Sequence, residues 1–248
     1  MFSNIDKEMN NINTKILLFL VFITGIFFIT GCPKKRENLK SQSNTDTAED
    51  VSKGGINKPG KKLKMELETD SVEVTDSVVI NSSLGKIKVG LYGKDAPRTV
   101  LNFIKLIKKG YYNGIFIHRV AKDFLIQMGD RNTIYPSKKA EWGKGGQSAS
   151  GKPFADELNP KSPSFKNGYL KGTLAMANRG PNSNTSQFFI CMDDAIDMEK
   201  KWTIFGRVTE GMDIVKKINY VEVTPGPFEK NDGLPKEPIK IYSIYLEK

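Results

Sequence analysis

The stretch from Gly172 to Cys191 reads GTLAMANRGPNSNTSQFFIC and places one polar loop between two apolar runs. Residues 173–177 and 187–191 favour short strands, and Gly180, Pro181 and the neighbouring asparagines predict a turn between them. Two strands that flank a loop dense in amides and hydroxyls present polar groups beside an apolar floor, which is typical of a binding surface.

An upstream segment completes the pattern, because residues 116–120 read FIHRV and residues 124–130 read FLIQMGD. His-Arg followed by Phe-x-x-Gln, then Met-Ala-Asn and Ser-Gln-Phe-Phe, resembles in order and spacing the cyclophilins, a family of peptidyl-prolyl cis/trans isomerases. The resemblance covers about residues 78–246. About seven extra residues, 133–139, precede a glycine run that lines the groove in cyclophilins.

Other short runs predict further strands around this centre. Residues 78–80 and 87–91 flank a turn-rich segment and predict a hairpin. Residues 115–120, 124–128, 203–208 and 239–246 also have strand-like patterns, whereas residues 222–238, rich in proline and glycine, predict a surface loop.

Two amphipathic helices are predicted. Asp95 offers an N-cap acceptor before Pro97, and a second helix follows Gly211. Many short strands, two helices and no repeat predict a mainly β fold, and the resemblance implies a closed eight-stranded antiparallel cyclophilin-like barrel capped by two α-helices. The apolar residues that recur at helical spacing are Val100, Phe103, Ile104, Ile107, Ile214, Val215 and Ile218.

The amino-terminal residues predict export. The uncharged run 16–31 is shorter than the roughly 20 residues of a membrane span and suits the core of a signal peptide. Gly31 before Cys32 resembles a bacterial lipobox, although the two preceding residues depart from its usual pattern. We therefore expect lipidation at Cys32 and a membrane-anchored lipoprotein on the periplasmic or cell-surface side; an uncleaved anchor and a plain secretory signal are the alternatives.

Composition and charge divide the chain into three parts. Residues 1–31 are the predicted signal peptide, residues 32–70 a flexible basic tether, and residues 71–248 the cyclophilin-like domain. Residues 33–64 carry nine Lys or Arg against four Asp or Glu, which is half of the net charge of +10. This part has almost no large apolar residue, so it predicts a solvated linker more simply than a lipid-binding face.

The inventory of reactive residues excludes several kinds of chemistry. With His118 as its single histidine, the chain cannot build a histidine-rich metal site, and no Gly-x-Ser-x-Gly elbow supports a serine hydrolase. The glycine run 143–146 lacks the Gly-Lys-Ser/Thr end of a phosphate loop. Cys191 lies in an apolar strand and is predicted to be a buried hydrophobe. We expect no cofactor, no metal, no nucleic-acid partner and a monomer.

Isomerising an X-Pro bond needs none of these groups. In the twisted transition state the prolyl nitrogen regains a lone pair, which a positioned guanidinium can bind although it cannot bind the planar amide. We predict that Arg119 is this donor. The alternative for Arg119 is a surface salt bridge, and the alternative for the apolar residues below is ordinary core.

The motif match implies a proline pocket and a set of backbone-binding residues. Phe124, Arg119 and Gln127 are the implied catalytic residues, and His118 is structural support beside the arginine. The implied substrate-binding residues are Phe124, Leu125, Gln127, Ala177, Asn178, Gln187, Phe189, Met198 and Trp202.

Three positions depart from the family pattern. Asp197 stands where cyclosporin-sensitive members carry tryptophan, so the expected indole donor for cyclosporin is missing. Trp202 stands where many members carry histidine, and its ring can still form a wall of the pocket. Leu125 replaces the usual methionine with little change in volume.

The sequence therefore predicts an exported, tethered prolyl isomerase that acts on proline-containing segments of unfolded or partly folded proteins. Prolyl isomerisation is slow enough to limit folding, and export delivers unfolded chains. The alternatives are a proline-peptide-binding chaperone without turnover and a structural surface lipoprotein.

Overall fold

The computed structural model describes residues 70–226 and 230–247. The predicted signal peptide, Cys32 and the tether up to residue 69 lie outside these ranges. Within the described ranges, no helix combines the length and the apolar character that crossing a membrane requires.

The described residues form one antiparallel sheet of ten strands, three α-helices and two 3-10 helices. The helices are α1 (Pro97–Lys108), α2 (Pro163–Asn167), α3 (Met212–Asn219) and the 3-10 turns Arg131–Ile134 and Pro136–Glu141. The strands are β1 (Asp76–Ser82), β2 (Gly85–Leu91), β3 (Arg119–Ala121), β4 (Leu125–Met128), β5 (Thr173–Met176), β6 (Phe188–Cys191), β7 (Ile204–Glu210), β8 (Val223–Pro225), β9 (Asp232–Pro235) and β10 (Ile241–Leu246).

The strand order is β10-β1-β2-β7-β5-β6-β4-β3-β9-β8, which confirms a mainly β antiparallel fold. The predicted count of eight strands is corrected to ten, because residues 222–238 contain β8 and β9 rather than only a loop. The predicted closed ring also differs, since β10 and β8 are the two ends of the sheet. An isolated bridge between Phe116 and Lys240 joins β10 to the segment before β3.

Helix α1 forms where it was predicted and buries one apolar face, but its cap is not Asp95. The carboxylate of Asp95 instead accepts a hydrogen bond from the backbone N–H of Ser164 at 2.9 Å. Glu157 accepts from the backbone N–H groups of Arg98 at 3.1 Å and Thr99 at 2.9 Å. A tertiary contact thus satisfies the helix start, which local sequence could not reveal.

The second predicted helix is α3, in which Val215 and Ile218 are buried as expected. The structure adds α2, a third helix of five residues that begins at Pro163. The expectation of two α-helices is therefore corrected to three within the described residues. Helix α1 packs against β10, and α3 packs against β2, β3 and β4.

The two faces of the sheet have different roles. Because directly opposite residues of paired strands share a face, the register separates the side chains into rows. One row enters the main core and consists of Val120, Ile126, Ile190 and Leu174. The adjacent row lies on the other face and consists of Arg119, Gln127, Phe189 and Ala175.

Candidate active site

The outer face of β3, β4, β6 and β5 carries the apolar residues that were predicted to form the proline pocket. Thirteen buried residues form an apolar cluster there, separate from the main core, which we call the outer cluster. It includes all six apolar pocket residues that the motif match implied. Its members are Tyr92, Ala121, Phe124, Leu125, Tyr169, Ala175, Ala177, Phe189, Cys191, Ala195, Met198, Trp202 and Ile204.

Aromatic contacts organise the outer cluster. The ring of Trp202 packs edge-on against Phe189, with centroids 6.4 Å apart and planes at 82°. Tyr169 contacts both rings. The hydroxyl of Tyr169 also donates to the backbone carbonyl of Trp202 at 2.8 Å and accepts from the backbone N–H of Trp202 at 2.9 Å. Trp202 is thereby fixed at the position that the sequence assigned to a pocket wall.

The turn that presents Phe124 depends on Asn219, which sequence reasoning missed. Asp123 in this turn has φ 59°, in the left-handed region. The side chain of Asn219 on α3 accepts from the N–H of Asp123 at 2.8 Å and donates to the carbonyls of Ala121 at 2.8 Å and Leu125 at 3.0 Å. The helix thus holds the β3–β4 turn, and Asn219 is fully buried.

A chain of hydrogen bonds links the predicted polar residues. The Nε2 of Gln187 donates to the carbonyls of Gly143 at 2.9 Å and Gly145 at 2.7 Å, so its Oε1 faces the opposite way. That oxygen accepts from the Nε2 of Gln127 at 3.0 Å. The Oε1 of Gln127 then accepts from Nη1 of Arg119 at 3.4 Å. Gln187 therefore reaches Arg119 through Gln127.

His118 is a neutral, buried part of this network. Its Nε2 lies 3.1 Å from the Oε1 of Gln187, so this nitrogen carries the proton and donates it. Burial lowers the pKa of His118 to about 4, against an opposing effect of Asp130 and the bond to Gln187. The imidazole is uncharged at neutral pH, which agrees with its expected supporting role.

Arg119 is in an ion pair, but not at the surface. Its Nε donates to Oδ1 of Asp232 at 2.9 Å and its Nη2 donates to Oδ2 at 2.7 Å. The two side chains are only 7% and 12% exposed. Sequence reasoning missed Asp232, which lies 113 residues later in a segment predicted to be a loop. No local signal in the sequence connects the two residues.

The side chain of Asn178, a predicted substrate-binding residue, is held within its own loop. Its side-chain amide donates to the carboxylate of Asp156 at 3.1 Å, and its oxygen accepts from the N–H of Gly180 at 3.4 Å. Asp156 also accepts from the side chain of Asn184 and the N–H of Asn182. The amide of Asn178 therefore organises the loop between β5 and β6.

The glycine run folds around the buried carboxylate of Asp130. Its oxygens accept from the backbone N–H groups of Gly143 at 2.7 Å and Gly145 at 3.0 Å. A side chain at Gly145 would bring its Cβ within 2.1 Å of that carboxylate, which explains the glycine. A cavity of about 360 Å³ adjoins the run and is lined by Tyr111, Asp130, Arg131, Asn132, Tyr135, Gly145, Gly146 and Gln147.

Of the extra residues 133–139, Tyr135 lines this cavity. The extra residues form the end of the first 3-10 helix and the start of the second. Trp142, just after them, stacks on Phe116 with ring centroids 5.8 Å apart and planes at 10°. The insertion is thus packed onto the segment that precedes β3.

Comparison with known proteins agrees with this geometry. Residues 77–246 match the family described as cyclophilin type peptidyl-prolyl cis-trans isomerase/CLD. A protein from Rhizopus delemar, "Peptidyl-prolyl cis-trans isomerase-like 1", is 43% identical over 59% of this chain and 82% of its own. The protein of the same name from Mus musculus is 40% identical over 68% of this chain and 91% of its own.

Solved structures give the same result. A cyclophilin-type peptidyl-prolyl cis-trans isomerase from Cryptosporidium parvum superposes with a TM-score of 0.59 and is 29% identical, covering 70% of this chain and 98% of its own. A second structure of that protein, in the presence of the dipeptide Ala-Pro, has a TM-score of 0.59, is 28% identical, and covers 69% of this chain and 99% of its own. These relatives are eukaryotic, and the family match begins at residue 77, after the predicted signal peptide and tether.

Proposed function

The chain belongs to the cyclophilin-type peptidyl-prolyl cis-trans isomerase family and is an enzyme of that activity, and from this premise we propose that Arg119 is its catalytic residue. The barrier to rotation, roughly 18 to 20 kcal/mol, arises from amide resonance. Twisting the X-Pro bond breaks this resonance and returns a lone pair to the prolyl nitrogen. A guanidinium N–H that donates to this nitrogen stabilises the twisted state more than either planar state.

The observation that carries the proposal is the position of Arg119 in the outer row. It is directly opposite Gln127, and Gln127 is directly opposite Phe189. The guanidinium therefore lies beside the outer cluster, with its Nη1 toward the strand that carries Gln127. A proline ring held against Phe124, Leu125, Phe189, Met198 and Trp202 would bring its nitrogen toward Arg119.

We propose that the peptide backbone is held by Gln127 through its side chain and by Asn178 through its backbone groups. The side chain of Asn178 is engaged by Asp156, so its main chain is the part left to bind a peptide. Ala177, directly before it, is small and only 5% exposed, which allows close approach of an extended segment. The ligand class is a proline-containing peptide in an extended conformation.

The test compares the full chain with Arg119→Ala, using exchange of a short X-Pro peptide followed by NMR at several peptide concentrations. We expect about a 100-fold fall in kcat, the usual effect of removing a donor to a developing lone pair or charge. Arg207→Ala is the control, since Arg207 is an exposed arginine on β7. Equal rates for Arg119→Ala and the parent chain would reject the mechanism, and peptide binding without rate enhancement would support a chaperone instead.

We also propose that the enzyme is exported and lipid-anchored through Cys32, and that it assists folding of exported proteins. The support is the uncharged run 16–31, which ends at Gly31 and is followed by Cys32, together with the polar stretch up to residue 70. Mass spectrometry of the amino-terminal peptide from cells tests this directly. A diacylated Cys32 is expected, and it should vanish in Cys32→Ser; an intact, unmodified amino terminus would contradict the proposal.

A further inference from the structure

Asp232 holds the guanidinium of the proposed catalytic arginine through two hydrogen bonds, at 2.9 Å and 2.7 Å. We propose that Asp232 is a positioning residue for catalysis, which fixes the rotation of the Arg119 guanidinium so that its remaining edge addresses the prolyl nitrogen. The proposal rests on the catalytic role of Arg119 proposed above.

The fork geometry restricts Arg119 strongly. A carboxylate that accepts from Nε and Nη2 together fixes both the plane of a guanidinium and its rotation about the Cδ–Nε bond. On the other side, Nη1 meets the Oε1 of Gln127 at 3.4 Å. Asp232 on β9 therefore binds one edge of the Arg119 guanidinium. The Nη1 of Arg119 is directed the other way, toward β4 and the outer cluster beyond it.

Burial distinguishes this pair from the exposed pairs of the same chain. The side chains of Arg119 and Asp232 are 7% and 12% exposed. Lys236 and Glu222, which also join the ends of the β8–β9 region, are 56% and 81% exposed. Water competes with an exposed pair, whereas a buried charge without its partner is strongly disfavoured. The contact between Arg119 and Asp232 is therefore persistent.

The backbone explains how Asp232 reaches this place. In the β3–β9 ladder, Asp232 is directly opposite Ala121, which lies two residues after Arg119 and so on the same face. The two charged residues are diagonal neighbours, within reach of a long side chain. Strand β8 holds β9 from the far side. A Cβ at Gly233 would lie 1.9 Å from the carbonyl oxygen of Thr224, so the close approach of the strands requires glycine.

A purely structural role for Asp232, tying the edge strands to the sheet, would use the same bonds. The two roles differ in their kinetic consequences. A positioning residue acts on the step in which the donor meets the nitrogen, so its loss lowers kcat, while the pocket and hence KM are nearly unchanged. A structural role lowers the amount of folded enzyme, and the folded fraction keeps its kcat.

The experiment uses the full chain with Asp232→Asn, Asp232→Glu and Glu222→Gln, each assayed by NMR exchange of an X-Pro peptide at several concentrations. Asp232→Asn keeps the shape of the side chain but replaces one of the two oxygens that accept from Arg119. We expect kcat to fall about 10- to 100-fold, as for a misplaced catalytic group. Asp232→Glu restores two acceptor oxygens and should recover part of the loss. Glu222→Gln should match the parent chain, and thermal unfolding verifies that each variant is folded.

Combination with Arg119→Ala separates this inference from the proposed function. If Asp232 acts through Arg119, adding Asp232→Asn to Arg119→Ala causes no further loss of kcat. An unchanged or raised kcat in folded Asp232→Asn, beside a slow Arg119→Ala, overturns the positioning role alone. A kcat of Arg119→Ala equal to that of the parent chain overturns the mechanism itself.

A measurement on the parent chain tests the contact if Asp232→Asn does not fold. The ¹H–¹⁵N signal of the Arg119 Nε–H group reports whether the guanidinium is held. Exchange with water much slower than that of exposed arginines such as Arg179 supports the proposal. Exchange as fast as theirs overturns it.

Discussion

Single residues of the site have environments that differ sharply over a few ångströms. Arg119 pairs with the carboxylate of Asp232 at 2.7 Å, whereas burial lowers the pKa of His118, the preceding residue, to about 4. The Nε2 of His118 lies 3.1 Å from the Oε1 of Gln187, whereas the guanidinium of Arg119 donates to the carboxylate of Asp232. The two neighbours thus differ in their partners, a neutral amide for His118 and a carboxylate for Arg119.

Neutral His118 predicts a dependence of stability on pH. Its pKa is about 4 in the fold against 6.5 in the unfolded chain, so only the unfolded state binds a proton between these values. The contribution of neutral His118 to the free energy of unfolding is therefore fully present above about pH 6.5 and is lost as the pH falls to about 4. It amounts to about 3 kcal/mol. Urea unfolding at several pH values should show this loss, and His118→Gln should reduce it. Parallel curves for the two proteins would contradict the burial argument.

The apolar residues of the outer cluster can be separated from ordinary core by comparing two phenylalanines. Phe124 lies in the outer cluster and is 6% exposed, whereas Phe205 lies in the main core and is fully buried. We expect Phe205→Ala to cost about 3 to 5 kcal/mol in unfolding free energy with normal activity per folded molecule. Phe124→Ala should lower kcat/KM at least about tenfold in the folded enzyme. Equal kinetics for both variants would indicate that Phe124 is core alone.

The secondary-structure elements are joined by polar side chains at their ends, one fully buried and two partly buried. Glu157 satisfies the start of α1, and Asn219 on α3 holds the β3–β4 turn. Asp156 holds the loop between β5 and β6 through Asn178. Each of these side chains accepts from or donates to backbone or amide groups of another element, and so holds the elements together around the candidate site.

The cap of α1 is testable through Glu157. Its side chain is 8% exposed and accepts from two backbone N–H groups at the positive end of the helix. Glu157→Gln removes the charge and one good acceptor, and we expect a loss of about 1 to 2 kcal/mol in unfolding free energy by urea titration. Glu210→Gln, in an exposed pair with Lys88, is the control. A loss no larger than that of the control would show that Glu157 is not the cap.

At the scale of the whole molecule, one sheet has apolar clusters on both faces. The main core lies on one face of β3, β4, β6 and β5, and the outer cluster lies on the other. These strands are therefore buried on both sides and have little freedom to move. This support suits the role proposed for Arg119, because catalysis by a fixed group requires that the group stay in place.

Cys191 reports on this rigidity. It is fully buried in the outer cluster, and burial raises the pKa of its thiol far above the usual range. We expect no alkylation of Cys191 by iodoacetamide in the native protein and complete alkylation in denaturant, with peptide mapping used to separate it from Cys32. Rapid native labelling of Cys191 would mean that the β4–β6 region opens locally.

The local elements and the family could be inferred from the sequence alone. Periodicity predicted the hairpin, α1 and α3, and the spacing of His-Arg, Phe-x-x-Gln, Met-Ala-Asn and Ser-Gln-Phe-Phe indicated the family, because these patterns depend on neighbouring residues. Which distant residues lie beside the candidate site depends on how the chain folds. Asp232 reaches Arg119 across 113 residues, and Glu157 displaces Asp95 as the cap of α1. Such pairings depend on strand register and on the burial of polar groups, and no local pattern encodes which of many carboxylates will lie beside a given donor.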